Sequence, residues 1–222
     1  MDQLLETREA CPLEDRECPL VEELRRLKKE CKRLQQLTQI DVLTGFFNLS
    51  YLFVALEREM ERARRASLSV CLVMIDLDHF KRINDTYGHE CGNEALQWAS
   101  RVWRESIRRI DIPCRYGGEE FAIILPGTYL PQAVRMAQRL RLLLAESPVQ
   151  LEGEPVRLTA SFGVDLYEGL ENLSVEAFIK RTDRFLLEAK RKGRNCVCYE
   201  KAKAAVPAGV TDEEREALLI NP

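Results

Sequence analysis

The chain lacks the long apolar segments of a membrane protein. None of its hydrophobic runs approaches the about 18 residues of a transmembrane helix. Residues 1–6 have neither the basic start nor the apolar core of a signal peptide. These absences predict a cytoplasmic protein that has no membrane partner. In that compartment its eight cysteines are expected to be reduced and mostly packing residues.

The chain also lacks an excess of charge of one sign. Its formal net charge is −3 over 222 residues, which argues against general binding of nucleic acid or of anionic membranes. Hydrophobic residues make up 45% of the sequence and charged residues 31%, so a globular fold with a real core is expected. The length suits one domain of ordinary size with short extensions.

The first segment, residues 1–19, lacks a recognisable metal-binding pattern. It is polar, has no CxxC, lies far from both histidines and contains two Cys-Pro steps, Cys11-Pro12 and Cys18-Pro19. Proline disfavours helix at the residue before it, so a polar tail is predicted. A metal or haem site, or a redox pair of the two thiols, is the alternative.

Residues 20–41 have a narrow apolar seam, in which apolar residues recur at alternating steps of four and three. Most other positions are Glu, Lys or Arg. This pattern is typical of a coiled coil and predicts a helical stalk through which two chains form a homodimer. The alternative is one amphipathic helix packed on its own domain. The seam consists of Leu20, Leu24, Leu27, Cys31 and Leu34.

The stretch 115–121 combines turn chemistry with acidic chemistry. Two glycines and two glutamates, Gly117 to Glu120, lie between short apolar runs that end in Gly or Pro. This pattern predicts two strands joined by a tight turn, where glycine permits positive φ and the close approach of a phosphate. Adjacent carboxylates repel each other, so such a turn favours a bound cation. A solvated acidic turn is the alternative.

A second acidic position follows a nearly continuous apolar run. Residues 68–75 predict a central strand that is buried on both faces, and Asp76-Leu77-Asp78 follows it directly. Carboxylates are rarely placed at the end of a buried strand without a ligand or partner.

Helices are predicted over about 49–66, over a short segment that stops at Gly88, and from His89 to about Arg109.

The second half of the chain predicts the other elements of a mixed fold. Helices are expected over about 130–146 and 175–192. Strands are expected over about 156–166 and 196–199, the last at an edge of the sheet. Residues 201–222 form an acidic, Ala-rich tail. This order of elements, with an antiparallel hairpin at its centre, favours an α+β fold over a doubly wound one.

Five stretches over about residues 41–200 resemble the GGDEF family of diguanylate cyclases, in the family's order. A single GG-acid-acid-Phe motif would be weak evidence, but five ordered motifs make coincidence negligible. The stretches are Asp41 to Asn48 (DxLTGxxN), Asp76 to Asp85 (DLDHFKxxND), Tyr87 to Gly92 (YGHxxG), Arg115 to Phe121 (RYGGEEF) and Ala189 to Asn195 (AKxxGRN).

The resemblance implies both a fold and a reaction. The fold is the palm-like domain of nucleotidyl cyclases, a central, mainly antiparallel five-stranded sheet flanked by helices, here over residues 42–200. The reaction condenses two GTP into cyclic di-GMP and releases two pyrophosphates. Each of two protomers holds one GTP, and the 3'-hydroxyl of each nucleotide attacks the α-phosphate of the other. A dimerising stalk agrees with that arrangement.

The resemblance also implies site residues. Asp76, Glu120 and the carbonyl of Leu77 match metal ligands, hard oxygen donors suited to Mg²⁺ or Mn²⁺. Glu119 matches the acid that deprotonates the 3'-hydroxyl and also touches the metal. Asp76, Glu119 and Glu120 are therefore the predicted catalytic residues. The predicted substrate contacts are Gly117 and Gly118 beside the nucleotide, the backbone of His79, Phe80 and Lys81 as a phosphate cradle, and Lys190 and Arg194, which helical spacing points the same way, on phosphate.

The chain departs from the family where guanine is recognised. The matching residues are Asn84, His89 and Asn93, and the family usually has Asp at the third position. A carboxylate accepts both donors on the pairing edge of guanine, whereas an amide offers one acceptor and one donor and suits adenine better. The hypothesis is relaxed purine selectivity, with ATP also used and a mixed cyclic GMP-AMP product. The alternative is that Asn93 accepts one guanine bond and GTP is still preferred.

Arg108 to Asp111 match the family's inhibitory RxxD motif. In the family, Arg and Asp there bind cyclic di-GMP away from the active site, so product inhibition is predicted; a surface ion pair is the alternative.

The intact acids and lysine of the active site favour an enzyme over two other classes. These are a non-catalytic module that binds GTP or cyclic di-GMP and a scaffold held by the coiled coil alone.

Overall fold

The computed structural model describes residues 23, 26, 27 and 39–200. The predicted tails over 1–19 and 201–222 lie outside these residues, as does most of the predicted stalk. No helix within the described ranges combines the length and the hydrophobicity that crossing a membrane requires.

The helices and strands of residues 49–199 follow one another in a mixed order. The helices are α1 (Leu49–Ala66), α2 (Phe80–Arg104), α3 (Leu130–Glu146) and α4 (Val175–Arg191). The strands are β1 (Val70–Leu77), β2 (Ile112–Gly117), β3 (Glu120–Pro126), β4 (Val149–Leu151), β5 (Glu154–Val156), β6 (Ala160–Tyr167) and β7 (Val197–Tyr199).

Five strands form the central sheet in the order β2-β3-β1-β6-β7, and β4 and β5 form a separate two-stranded hairpin. The neighbouring strands of the central sheet are antiparallel except for β6 and β7, which are parallel. The predicted α+β fold with a mainly antiparallel five-stranded sheet is confirmed. All residues of β1 are buried, as expected for a central strand that is covered on both faces.

Helices cover both faces of the sheet, and each face has its own hydrophobic core. Side chains alternate between the faces of a strand, so the apolar run of β1 supplies both cores. Cys71, Val73 and Ile75 pack with residues of α2 and α3. Val70 and Leu72 pack with residues of α1 and α4 on the other face.

The predicted helix break at Gly88 is confirmed. This residue has non-helical angles (φ 81°, ψ 169°) and separates the two helical segments that together make up α2.

The structure corrects three predicted boundaries. The helical stalk predicted over 20–41 does not reach residue 41, because residues 39–41 are not helical and Ile40 pairs with Phe47 in an isolated β-bridge. α2 ends at Arg104 rather than near Arg109, and the residues after it turn towards β2. The strand predicted over 156–166 begins only at Ala160.

The β4–β5 hairpin was not predicted, because strands of three residues are too short to show a periodicity.

Gly163 on β6 lets α4 lie unusually close to the sheet. A Cβ atom at this position would lie 2.4 Å from the backbone nitrogen of Leu186 and 2.7 Å from the carbonyl oxygen of Thr182. These atoms belong to the backbone of α4, so a side chain at position 163 would force the helix outwards. The close approach matters because the last turn of α4 carries Lys190 to the end of β1.

Candidate functional site

The end of β1 and the tip of the β2–β3 hairpin form one acidic site. In the antiparallel register, Asp76 on β1 lies directly opposite Glu120 on β3. Directly opposed residues have Cβ atoms about 4.5–5.5 Å apart, so the two acids lie side by side. The Leu77 N–H group donates to the carbonyl oxygen of Glu119 at 3.2 Å, which fixes the hairpin tip against the end of β1.

A lysine supplies positive charge to this site. Nζ of Lys190 lies 2.7 Å from Oδ2 of Asp76. Burial raises the pKa of Asp76, and the bond from Lys190 opposes that rise. Burial, and then the nearby charge of Asp76, raise the pKa of Glu120. Burial and mutual repulsion thus disfavour two neighbouring carboxylates, and a divalent cation would relieve both effects.

The donor set at this site fits Mg²⁺ or Mn²⁺. Asp76 and Glu120 contribute carboxylates, and Leu77 contributes a backbone carbonyl beside them, all of them hard oxygen donors. Within the part of the chain that the structure describes, no group of three or more His, Cys, Asp or Glu side chains is arranged to hold an ion. Glu119 is half-buried in the hairpin turn. Because the structure shows no such group of side chains among the residues it describes, the metal-ligand set stays a prediction.

Asp78 is a residue of this region that the sequence analysis did not assign. The residue is 6% exposed, and its carboxylate accepts hydrogen bonds from Thr159 Oγ1 at 2.9 Å, Ser161 Oγ at 2.7 Å and the Asn195 N–H group at 2.9 Å. It therefore connects β1 with β6 and with the loop that follows α4. The available signal was a second acid two positions beyond Asp76, at the end of a buried strand.

The beginning of α2 presents backbone N–H groups next to the end of β1. His79 is the N-cap residue, with a left-handed backbone (φ 56°), and α2 begins at Phe80. The first N–H groups of a helix have no acceptor within it and favour anions. Phe80 is buried, whereas the side chains of His79 and Lys81 are exposed. The buried ring therefore anchors the segment for which a phosphate cradle is predicted.

The three residues predicted to contact the base lie along α2. Asn84 is half-buried, whereas His89 and Asn93 are exposed. The amide of Asn84 lies over Gly92, because a Cβ atom there would come within 1.9 Å of Asn84 Oδ1. Gly92 thus leaves the space that Asn84 occupies, and Asn93 is its next neighbour along the helix.

Lys190 and Arg194 lie on either side of the end of α4. Lys190 is in the last turn of the helix, whereas Arg194 lies beyond the last helical residue, Arg191. Arg194 is exposed, has a left-handed backbone (φ 65°) and donates its N–H group to the carbonyl oxygen of Ala189 at 3.1 Å. The helix does not reach Arg194, so the predicted helical spacing of this pair is wrong.

Arg115 connects the hairpin tip with the turn that precedes α1. Its Nη2 and Nε atoms donate to the carbonyl oxygen of Gly118 at 2.8 and 3.1 Å. Its Nη1 atom lies 3.2 Å from Oδ2 of Asp41. Asp41 Oδ1 also accepts bonds from the N–H group and Oγ1 of Thr44, at 2.9 and 2.6 Å. Asp41, the last residue of the predicted stalk, and the turn that follows it are thus bonded to the acidic hairpin.

The other end of β3 borders a cavity of about 610 Å³, which lies between α3 and the residues that follow α2. We call it the second cavity, to distinguish it from the acidic site. Arg108 and Asp111 both line it. Asp111 is 7% exposed, and its Oδ2 accepts the Arg108 N–H group at 2.8 Å. Its buried Oδ1 has no hydrogen-bond partner among the described residues. Burial raises the pKa of Asp111. Two further arginines that were not predicted, Arg135 and Arg139 on α3, also line the cavity, as does the acid Glu105.

Comparison with known proteins identifies the relatives of this chain. The family model described as "Diguanylate cyclase, GGDEF domain" matches residues 38–196. The response regulator PleD of Caulobacter vibrioides is 40% identical over 169 residues, which are 75% of this chain and 37% of that protein. The diguanylate cyclase DgcP of Pseudomonas aeruginosa is 40% identical over 166 residues, which are 75% of this chain and 24% of that protein. The chain therefore spans only a minor part of the length of these relatives.

A solved structure has the same fold. The GGDEF domain of DgcB from Caulobacter crescentus, in complex with c-di-GMP, superposes with a TM-score of 0.69 at 29% identity. The superposition covers 72% of this chain and 92% of that one.

Proposed function

Because the chain belongs to the GGDEF family of diguanylate cyclase domains, we propose that it condenses two molecules of GTP into cyclic di-GMP and releases two pyrophosphates. The placement of Asp76 opposite Glu120, with Lys190 2.7 Å from Asp76, carries this proposal. Phosphoryl transfer depends on neutralising charge and positioning groups more than on covalent help. This site offers two acids for a cation and an ammonium group for phosphate.

Each group of the site has a defined task in that reaction. Asp76, Glu120 and the Leu77 carbonyl would hold Mg²⁺ or Mn²⁺, which supplies Lewis-acid neutralisation of the triphosphate. Glu119, in the hairpin turn, takes the proton of the 3'-hydroxyl. The N–H groups of Phe80 and Lys81 and the charges of Lys190 and Arg194 bind phosphate oxygens.

Two protomers are needed, because the 3'-hydroxyl that attacks each nucleotide belongs to the nucleotide held by the partner. The predicted helical stalk, which lies before residue 39, would bring them together. The specific activity should therefore rise with protein concentration until the dimer is saturated. Sedimentation measured over the same concentration range gives the association constant, and the two curves should coincide.

The direct test is incubation of the purified protein with GTP and Mg²⁺, with pyrophosphate release and product mass as readouts. The expected result is cyclic di-GMP with two pyrophosphates for each product molecule. Binding of GTP without pyrophosphate release would instead identify a non-catalytic module. Binding of neither GTP nor cyclic di-GMP would leave only a scaffold.

The second cavity supports product inhibition. Asp111 lines this cavity and its Oδ1 has no hydrogen-bond partner among the described residues, whereas the pairing edge of guanine carries two donors. Arg108, Arg135 and Arg139 line the same cavity, and guanidinium groups suit phosphate. Cyclic di-GMP combines both features, so we propose that it binds here and slows its own synthesis.

Asn93 supports relaxed purine selectivity as a second candidate function. Its exposed amide lies beside the Asn84–Gly92 contact, and it offers one acceptor and one donor. Equal GTP and ATP, followed by product identification by mass, tests this candidate. Cyclic GMP-AMP would support it, and Asn93→Asp should then restore the preference for guanine. Cyclic di-GMP as the sole product would refute it.

A further inference from the structure

The loop between α4 and β7 has an unusual backbone. Gly193, Arg194 and Asn195 have consecutive positive φ angles of 108°, 65° and 43°. Residues with a Cβ atom disfavour this region, although Asn tolerates it better than most. Such a run persists only where the surrounding structure holds it in place. The loop lies next to the site, because Lys190 precedes it by one turn of helix.

Two charged side chains from distant elements hold Asn195. Oδ2 of Asp78, after the end of β1, accepts the Asn195 N–H group at 2.9 Å. Nη1 of Arg141, on α3, donates to the carbonyl oxygen of Asn195 at 3.2 Å and to its Oδ1 at 3.1 Å. The backbone donor, the backbone acceptor and the side chain of Asn195 are therefore all engaged. We call Asp78, Arg141 and Asn195 the Asn195 clamp.

Both charged members of the Asn195 clamp are themselves fixed. The buried carboxylate of Asp78 accepts bonds from two hydroxyl groups of β6 and the segment before it. Arg141 is half-buried, and its Nε donates to Gln138 Oε1 at 3.1 Å, one turn earlier on α3. The clamp thus joins the loop to the central sheet and to a helix packed on it, rather than to mobile surface groups.

We propose that Arg141 and Asp78 are positioning residues that fix the loop after α4, so that Lys190 and Arg194 face the triphosphate. Arg194 adjoins the clamped Asn195, and Lys190 already reaches Asp76, two residues before Asp78. The end of β1 therefore carries both a predicted metal ligand and the anchor of the phosphate-binding loop. This inference rests on the proposed function, because the triphosphate is the ligand it concerns.

Arg141→Met tests the proposal, because it keeps most of the side-chain length and removes the three donor groups. The readouts are affinities for a GTP analogue with a methylene group between the α- and β-phosphates, which cannot release pyrophosphate, and for GMP. We expect the affinity for the analogue to fall about 10-fold and that for GMP to stay within about twofold of wild type. Arg141→Lys should recover part of the loss. Arg184→Met, an exposed change on α4, is the matched control and should alter neither affinity.

Amide hydrogen exchange in the absence of nucleotide gives a readout that does not depend on activity. The Asn195 amide should exchange faster in Arg141→Met and in Asp78→Asn, and at the wild-type rate in Arg184→Met. Unchanged affinity for the analogue despite faster exchange would overturn the proposal. An equal loss for GMP and the analogue would also overturn it, because that indicates general damage. If Arg141→Met loses affinity for the analogue but not for GMP, and the wild-type protein makes no cyclic di-GMP, the clamp is supported and the proposed function is refuted.

Discussion

The two ends of β3 carry opposite charge and are built in different ways. At its beginning, hydrogen-bonded register places Glu120 opposite Asp76, and one lysine compensates for two acids. Beyond its other end, the second cavity is bounded by a loop and a helix, and three arginines line it together with two acids, Glu105 and Asp111. The acidic site is suited to a cation, and the arginine-lined cavity to an anion.

This difference determines how each region should respond to substitution. Strand register allows almost no adjustment, because a shift of one residue would turn each side chain to the opposite face. The acidic site should therefore keep its geometry when a single charge is removed, and the chemistry alone should fail. The shape of the cavity depends on how α3 packs over a loop. A substitution there can therefore change both the charge of the cavity and its packing, and the two effects are harder to separate.

The largest expected effect is that of Glu120→Gln. Pyrophosphate release should fall at least about 100-fold, because a carboxylate that holds the cation is lost. The melting temperature should rise at neutral pH, since burial and Asp76 raise the pKa of Glu120 and so disfavour its charged form in the fold. Loss of activity with a gain in stability would confirm that register, not charge, holds this site.

Glu146→Gln, at the exposed end of α3, is the control for that experiment. It should change neither activity nor melting temperature. A Glu120→Gln protein that kept more than about a tenth of the wild-type rate would contradict the assigned role.

Arg108→Met should have the next largest effect, in the second cavity. The concentration of cyclic di-GMP that gives half-inhibition should rise about 10-fold or more, as expected for losing hydrogen bonds from a charged group. Initial rates over a series of product concentrations measure this shift. Arg109→Met changes the neighbouring exposed arginine, which does not line the cavity. An equal shift in both variants would point to general electrostatics rather than to a site.

Arg115→Met tests the connection between the acidic hairpin and the turn before α1. The side chain of Arg115 is 10% exposed and that of Asp41 is 21% exposed. Losing this partly buried pair, together with the bonds to the Gly118 carbonyl, should lower the free energy of unfolding by about 1 kcal/mol. Urea unfolding measures the change. Combined with Asp41→Asn, the effects should be less than additive; simple addition would show that the two residues act separately.

The smallest expected effect is a pH dependence that arises from Asp111. Burial raises the pKa of its carboxyl group in the folded state, so the protonated form favours folding. Its contribution to stability is present at low pH and is lost as the pH rises through the raised pKa. The stability of wild type relative to Asp111→Asn should therefore fall as the pH rises. Unfolding measured between about pH 4 and pH 7, with the exposed Asp85→Asn as a control, tests this trend.

Local patterns determined much of the fold. A continuous apolar run predicted the central strand β1, and helical periodicity predicted α1, α3 and α4 to within a residue or two. These predictions succeeded because burial and periodicity are expressed within one element. The β4–β5 hairpin was missed, because three residues per strand carry no comparable pattern.

Local patterns also determined which residue types are available for chemistry. Short stretches of sequence are enough to recognise the acids at the end of β1 and in the hairpin, the glycines of the turn and the RxxD motif. Their spacing along the chain assigns candidate roles through resemblance to a family. It does not give the distances between them.

Only the tertiary structure decided how these groups pair. Lys190 meets Asp76 across 114 positions of sequence, because Gly163 lets α4 lie against β6. Arg141 meets Asn195 across 54 positions, and the buried Asp111 Oδ1 has no partner among the described residues. Such contacts depend on the packing of helices on a sheet, which joins residues that no local pattern relates. The sequence thus determined which elements and groups were present, and packing determined which of them could act together.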